Sequence, residues 1–547
     1  MMVSPAMLTY LSQRSPLFPG SLLLHAVLLL LLFIPNAPAM AETTGGDSTV
    51  TFSIRNFMVT GNTLLKPREI QELLIPYIGT GKTVDDVEKA RSALEKLYHD
   101  KGYPSVLVNI PEQTIEDGIV MLQVVESRIG RVRVKGNRYF TREKILSDLP
   151  CLQPGAILYL PDLKRELAMV NRNPDLSVAP QLRPGRDPGT IDVILLVKDH
   201  LPLHGSLELN NRASPDTTDL RLNGEISYDN LWQKEHSVSL QYQVSPEDTS
   251  EVEVVAASYV MPAPWDRERY MVFYGIMSDS NTAFGQGFQV TGKGNILGIR
   301  YIIPLPAMDQ YIHSINLGLD YKDFDEELVT GPGGESVLTP IKYMPASVSY
   351  SATLFDPWGQ THFSAGLNMG IRGLAGRQQD FEIKRYRAKA NYILTTLGVE
   401  RHQKLPFRLG LFIKLDGQIA DSPLISNEQY MAGGMTSVRG YLESEIAGDD
   451  AFHLTAELLG PELVNLPFLG RDSSLQPYIF YDRADLWLQD ALPGQDNFRS
   501  ISGIGGGIKG GLLGHLDYEL SYGYALDQGD PTDQGDSRIN FLIKAHF

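Results

Sequence analysis

From about residue 203 onward the chain runs in short segments in which every second residue is apolar, and this rhythm limits the possible folds more than any other feature. His236 to Ser245 sets Val238, Leu240, Tyr242 and Val244 against Ser237, Ser239, Gln241 and Gln243. Leu516 to Asp527 sets Leu516, Tyr518, Leu520 and Tyr522 against Asp517, Glu519 and Ser521. The last segment alternates Ile539, Phe541, Ile543 and Ala545 with Arg538, Asn540 and Lys544, and stops on Phe547. A two-residue period marks strands with one apolar and one polar face. Long, numerous strands rich in Tyr and Phe predict walls with the apolar face toward lipid and the polar face toward a lumen. Sixteen candidates fall at 204–213, 219–230, 236–245, 251–263, 269–280, 287–305, 311–324, 339–357, 358–372, 384–401, 406–420, 451–463, 475–488, 500–512, 516–527 and 538–547. An even number suits a bacterial single-chain barrel, and closure is needed because lipid offers no partner to an unpaired strand edge. The reading is a transmembrane antiparallel β-barrel over 203–547.

Composition excludes several classes. A net charge of -17 and a pI near 5.1 argue against a nucleic-acid partner. The single Cys151 rules out an internal disulfide and any cysteine-based metal cluster, and is expected to be a small buried residue. The eleven histidines show no ligand spacing. Neither a Gly-x-Ser-x-Gly motif nor a Ser/His/Asp grouping is present, so no enzyme, metal or cofactor is expected. No internal stretch reaches the ~18 apolar residues of a membrane helix. Residues 1–41 read as a signal peptide: Arg14, the apolar run Leu22 to Ile34, Pro35, then Ala39-Met40-Ala41 as the cleavage site.

Between signal peptide and barrel the texture is mixed α/β, and it repeats. Phe57-Met58-Val59-Thr60-Gly61-Asn62 is echoed by Val132-Arg133-Val134-Lys135-Gly136-Asn137. Each Gly-Asn turn is followed by a helix (Lys66 to Ile75; Thr141 to Leu149), then by a second helix with apolar residues three or four apart. In the first copy these are Val84, Val87, Ala90, Leu94 and Leu97; in the second they are Leu160, Leu163, Leu167 and Val170. Two strands close each copy, at 105–110 and 119–125, then at 177–182 and 190–197. The order strand-helix-helix-strand-strand predicts two modules, 52–127 and 128–202, each with a three-stranded sheet whose edge is open to another strand.

One connection is far too long for a hairpin. Residues 421–450 form a loop containing Gly433-Gly434-Met435-Thr436-Ser437-Val438-Arg439-Gly440-Tyr441. Loops of this length are functional or disordered, and paired glycines around one cation between Val438 and Tyr441 argue for function. With both termini on the periplasmic side it lies at the extracellular end, and a wide lumen gives it room to fold inward. There Arg439 needs an acidic partner. Phe480 and Asp482 share one face of the thirteenth strand, and an inward Asp482 has the geometry for a bidentate pair.

Signal peptide, two Gly-Asn modules, sixteen strands ending in Phe547 and the Val438-Arg439-Gly440-Tyr441 loop together resemble the two-partner secretion transporters of the outer membrane. These are the TpsB-type haemolysin and filamentous-haemagglutinin secretion/activation proteins, within the superfamily of barrels bearing periplasmic POTRA modules. Asp229-Asn230-Leu231 and Phe480-Tyr481-Asp482 match further pieces. The resemblance implies that Arg439 enters the barrel and pairs with Asp482. It implies that an exoprotein, unfolded in the periplasm, docks on the POTRA sheets by strand addition near 105–110 or 177–182 and leaves without ATP. It also implies a wall facing outer-membrane lipid and Phe547 as a C-terminal signal to the barrel assembly machinery. Two departures stand out. Only residues 42–51 precede the first module, too few for the family's N-terminal plug helix, and Gly448-Asp449-Asp450-Ala451 lacks a glycine after Gly-Asp. The alternative reading is an insertase of the same superfamily.

Overall fold

A computed structural model describes residues 50–279, 293–325, 327–329, 336–465 and 472–547; the predicted signal peptide lies outside them, as does nearly all of the segment read as lacking a plug. Two compact units divide between Leu201 and Pro202.

The first unit holds two copies of one motif. Copy one runs β1 (Asn56–Thr60), α1 (Pro67–Leu74), α2 (Val84–Asp100), β2 (Val106–Asn109) and β3 (Ile119–Glu126), with sheet order β1-β3-β2. Copy two runs β4 (Arg128–Lys135), α3 (Arg142–Ser147), α4 (Leu160–Val170), β5 (Leu176–Pro184) and β6 (Thr190–Asp199), ordered β4-β6-β5. One face of each sheet is core: Val120, Leu122 and Val124 pack with Ala90 and Leu94, and Val193, Leu195 and Val197 with Ile145 and Leu163.

The Gly-Asn echo has a mechanical basis. Gly61 and Gly136 sit at φ +81° and +95°, where a side chain would also strike the carbonyl oxygen of Val124 or Val197. Asn62 then holds Leu65 through both its amide atoms, at 2.9 and 3.0 Å, and Asn137 donates to the Phe140 carbonyl at 2.9 Å. A carboxylate at the end of the last strand seals each turn. Glu126 accepts the N–H groups of Thr63 and Leu64 at 2.6 and 3.0 Å. One oxygen of Asp199 accepts those of Arg138, Tyr139 and Phe140 at 2.8, 2.6 and 2.9 Å. Burial alone would raise the Asp199 pKa, but these N–H donors outweigh it and hold the carboxyl below the usual range.

The edges at 105–110 and 177–182, expected to accept an added strand, are occupied by the modules' own side chains. Along the edge of β2, Glu95 accepts the Val108 N–H at 3.0 Å, Arg91 donates to the Val108 carbonyl at 3.2 Å, and His99 lies 3.0 Å from the Val106 carbonyl. On β5 the Asn171 amide takes both the N–H and the carbonyl of Val178, at 2.7 and 3.1 Å. Because ladder groups alternate in direction, Pro180 and Pro184 also face outward there, with no N–H to offer.

In the second unit the described residues close an antiparallel barrel of sixteen strands. They are β7 (Leu203–Asn210), β8 (Arg221–Leu231), β9 (His236–Val244), β10 (Glu253–Ala263), β11 (Asp266–Ser278), β12 (Gly294–Pro304) and β13 (Tyr311–Phe324). Next is β14, broken into Ile341–Tyr343 and Pro345–Asp356, followed by β15 (Gly359–Gly370), β16 (Ile393–Lys404) and β17 (Gly410–Ala420). The wall ends with β18 (Asp450–Leu459), β19 (Ser474–Trp487), β20 (Phe498–Leu512), β21 (Leu516–Ala525) and β22 (Ser537–His546). β22 pairs with β7 from Leu542–Asn210 to His546–Ser206, so the barrel closes and leaves no strand edge unpaired there. Outward residues such as Leu240, Leu297, Ile419 and Ile543 are exposed and apolar, while Glu208, Gln243, Asn316 and Ser521 are buried in the lumen.

The tenth strand departs from its expected start at 384. Residues Gln378–Lys384 form a helix, α5, whose Phe381 is buried against Tyr343 and Tyr392, and β16 begins only at Ile393. Part of the expected 287–305 strand lies outside the described residues.

Candidate functional site

The connection between β17 and β18 folds into the barrel. It starts with a 3-10 turn at Ser426–Glu428, and a small hairpin, Tyr430–Ala432 against Ile446–Gly448, carries the segment inward. At the hairpin's head the Gly433 N–H donates to the Ser437 hydroxyl at 3.3 Å and the Gly434 N–H to the Val438 carbonyl at 3.1 Å. Gly433 and Gly434 have φ of +113° and +99°, open to glycine at little cost. The resulting tight turn drives Val438 and Tyr441, both fully buried, into a small apolar cluster with Ala484, Leu486, Ile501 and Ala525 of the wall.

Close approach to the wall is possible because side chains are lacking on both surfaces. A Cβ on Gly440 would meet the backbone of Gly523 and Tyr524, and one on Gly503 would meet the Arg439 carbonyl. Gly503 of β20 thus lets the loop backbone approach the wall. The Tyr441 hydroxyl lies 2.8 Å from the Asp527 carbonyl and accepts the Asp527 N–H at 3.1 Å.

Arg439 sits at the centre of this contact. Its Nε and Nη2 donate to the two oxygens of Asp482 at 2.7 and 2.8 Å, and its backbone N–H adds a third bond at 3.1 Å. Nη1 donates to Glu457 at 2.6 Å, and the other oxygen of Glu457 accepts from Lys509 at 3.2 Å. The guanidinium stacks on the ring of Phe480, 3.6 Å from its centroid. Side-chain exposure is 4% for Arg439 and 0% for Asp482, so both charges are out of bulk water and depend on each other. Two cations and two carboxylates leave the cluster formally neutral.

Sequence reasoning did not find the second anchor. Asp449, the last residue of the loop, takes both ends of a bidentate pair from Arg385, just beyond α5, at 2.7 and 2.6 Å. It also accepts the N–H groups of Leu424 and Gln489 at 3.0 and 2.8 Å. Asp450 already belongs to β18, which places the end of the loop at the Gly-Asp step. Smaller ties reach other connections: Glu443 to Arg212 at 3.0 Å and Glu445 to the Thr532 hydroxyl at 2.7 Å. The buried His453 touches the Ser437 carbonyl at 3.1 Å and Asp416 at 2.9 Å. Phe547 lies elsewhere, exchanging backbone bonds with Gly205 of β7 at 3.0 and 3.3 Å, its ring over that glycine. Asp229-Asn230-Leu231 ends β8 before a periplasmic hairpin. Cys151 is half-buried rather than buried, and burial and a neighbouring Glu166 push its thiol up to about 12.

Comparison with known proteins gives this arrangement a context. A family described as haemolysin secretion/activation protein ShlB/FhaC/HecB matches residues 189–510, more than half the chain. The chain belongs to that family. Its first module, residues 52–127, matches the POTRA domain of ShlB type. The outer membrane transporter CdiB of Dickeya dadantii (strain 3937) is 23% identical over 77% of this chain and 74% of its own. The structure of CdiB from Escherichia coli superposes over all of this chain and 96% of its own with a TM-score of 0.63 at 18% identity. BamA from Haemophilus ducreyi lacking POTRA domains 1-3 matches 91% of this chain and 100% of its own, with a TM-score of 0.56 at 15% identity. These likenesses share the fold; family membership makes the chain a secretion/activation transporter of the outer membrane with periplasmic POTRA structure.

Proposed function

We propose that this protein exports a partner exoprotein across the outer membrane by two-partner secretion, without ATP, and that the infolded loop is the part that yields. The observation that carries the reading is the buried Arg439–Asp482 pair in a chain of this family. A loop whose tip is held by one desolvated ion cluster and a glycine-to-glycine contact has two natural states at that tip, seated and released, and such bistable elements act as switches. The cargo arrives unfolded at the POTRA modules, the loop leaves its seat, the polar lumen passes the chain, and folding outside supplies direction. No catalytic step is assigned to any residue. The apolar outer wall contacts membrane lipid, and Phe547, with its ring against Gly205 of β7, serves as the C-terminal signal to the assembly machinery.

The deciding experiment is proteomics of culture supernatant and outer membrane after deletion of the gene. Loss of one or a few large secreted proteins with other barrels intact is the expected result. The alternative, an insertase, draws support from the likeness to BamA; a general loss of outer-membrane barrels would favour it and sink the transporter reading.

A further inference from the structure

The two POTRA copies share a scaffold but not a surface. On the sheet face away from the helices, copy one is uncharged: Met58 on β1, Leu107 on β2, and Ile119, Met121 and Gln123 on β3 are all exposed. The same face of copy two carries Arg131, Arg133 and Lys135 on β4, Arg183 on β5 and Lys198 on β6, all exposed. Register sets Arg133 beside Ile194 and Lys135 beside Leu196, with Asp192 the lone carboxylate, next to Arg131 and Arg183. Among the described residues, Arg131, Arg133, Lys135 and Lys198 have no ion-pair partner. From Arg128 to Pro202 there are thirteen Lys or Arg against eight Asp or Glu, in a chain whose net charge is -17. A concentration of unpaired cations against the trend of the whole protein marks a surface that attracts anions.

We propose that this face of the second module is the docking surface for an extended, acidic stretch of the exported polypeptide. The inference rests on the transporter reading above and specifies which surface takes the cargo. Side chains two apart on β4 are spaced by roughly 7 Å, the same repeat at which an extended chain presents alternate carboxylates. Ile194 and Leu196 supply an apolar floor between the cationic rows. The edge of β5 is closed by Asn171 and two prolines, so contact there is made by side chains on the face and not by an added strand. A bilayer surface is the poorer partner, because the face has no Trp, Tyr or Phe to anchor in the headgroup region.

The test uses the full-length transporter in nanodiscs of zwitterionic lipid. The probe is a labelled peptide of about twelve residues with Glu at alternate positions, followed by fluorescence anisotropy at low and high salt. Neutralising three exposed cations together (R131Q/R133Q/K135Q) is expected to weaken binding about tenfold. The charge-preserving R131K/R133K/K135R should bind as wild type, which separates charge from misfolding. High salt should weaken wild-type binding and leave the neutral variant little changed. Equal peptide affinity in wild type and the Gln variant would overturn the proposal. So would phosphatidylglycerol vesicles that bind in place of the peptide and lose affinity in the Gln variant. Should the peptide prove indifferent to these residues while gene deletion still removes an exoprotein from the supernatant, only the docking surface is refuted. An unchanged supernatant after deletion would instead refute the transporter reading itself.

Discussion

The tip and the root of the infolded loop are fixed by the same chemistry in unlike settings. At the tip, Arg439 is the only cation the loop brings to Asp482, and its partners Asp482 and Glu457 stand on β19 and β18, rigid parts of the wall. At the root, Asp449 is the loop's own carboxylate, and its cation comes from Arg385, a residue of another connection, with backbone N–H groups in support. The tip is therefore tied to the wall alone, and the root both to the wall, through the Asp449 N–H on the Trp487 carbonyl at 2.9 Å, and to a residue of another connection. Under the mechanism proposed above, release at the tip opens a path along the wall, whereas release at the root parts the loop from the connection that carries Arg385. Of the two, the tip is the better candidate for the resting lock.

The comparison can be broken by substitution. Asp482→Ala should have the largest effect, because it leaves Arg439 buried with only Glu457; removing one partner of a buried pair costs about 3–5 kcal/mol. Planar-bilayer recordings should then show a frequently open channel, with secretion reduced; a quiet channel would mean the tip does not hold the loop. Arg439→Ala should assemble normally and secrete poorly, and unchanged export would refute the latch. Arg385→Ala should cost less, about 1–3 kcal/mol, since two backbone donors still serve Asp449. It is expected to expose the 371–392 connection to added protease on intact cells while the channel stays mostly closed. If that variant opens the pore as widely as Asp482→Ala, the distinction between tip and root fails. Glu457→Gln should do least, under about 1 kcal/mol, because Arg439 keeps its bidentate partner and Lys509 lies partly exposed; a thermal melt of the purified barrel reads the difference.

How much of this was legible beforehand depended on distance along the chain. Two-residue alternation is local, so the barrel wall and its strand number were readable without any long-range knowledge. The repeat of Gly-Asn was readable because each copy needs the same positive-φ turn against its own last strand. The meeting of Arg439 and Asp482 was nominated by the resemblance to a family, since a shared strand face says only that Asp482 can point inward. Helix α5 stayed hidden: seven residues give too few turns for a 3.6-residue period to emerge. Arg385 and Asp449 are 64 residues apart, and nothing in either neighbourhood points to the other. The closed sheet edges were equally opaque, because nothing in the sequence around Arg91, Glu95 and His99 points to β2, and only the fold reveals that this row runs beside it.

Those closed edges bear on timing. A ladder of backbone bonds is cooperative and slow to leave, and a module that gripped its guest that way would hold each stretch of chain long after the next was due. A guest held by ion pairs on an open face can let go one side chain at a time, and affinity differences between related complexes are set mostly by how fast they dissociate. A protein whose task is to receive a chain and pass it on gains more from a short residence time than from a firm hold, and the row of Arg91, Glu95 and His99 keeps the slow mode of binding unavailable along that edge.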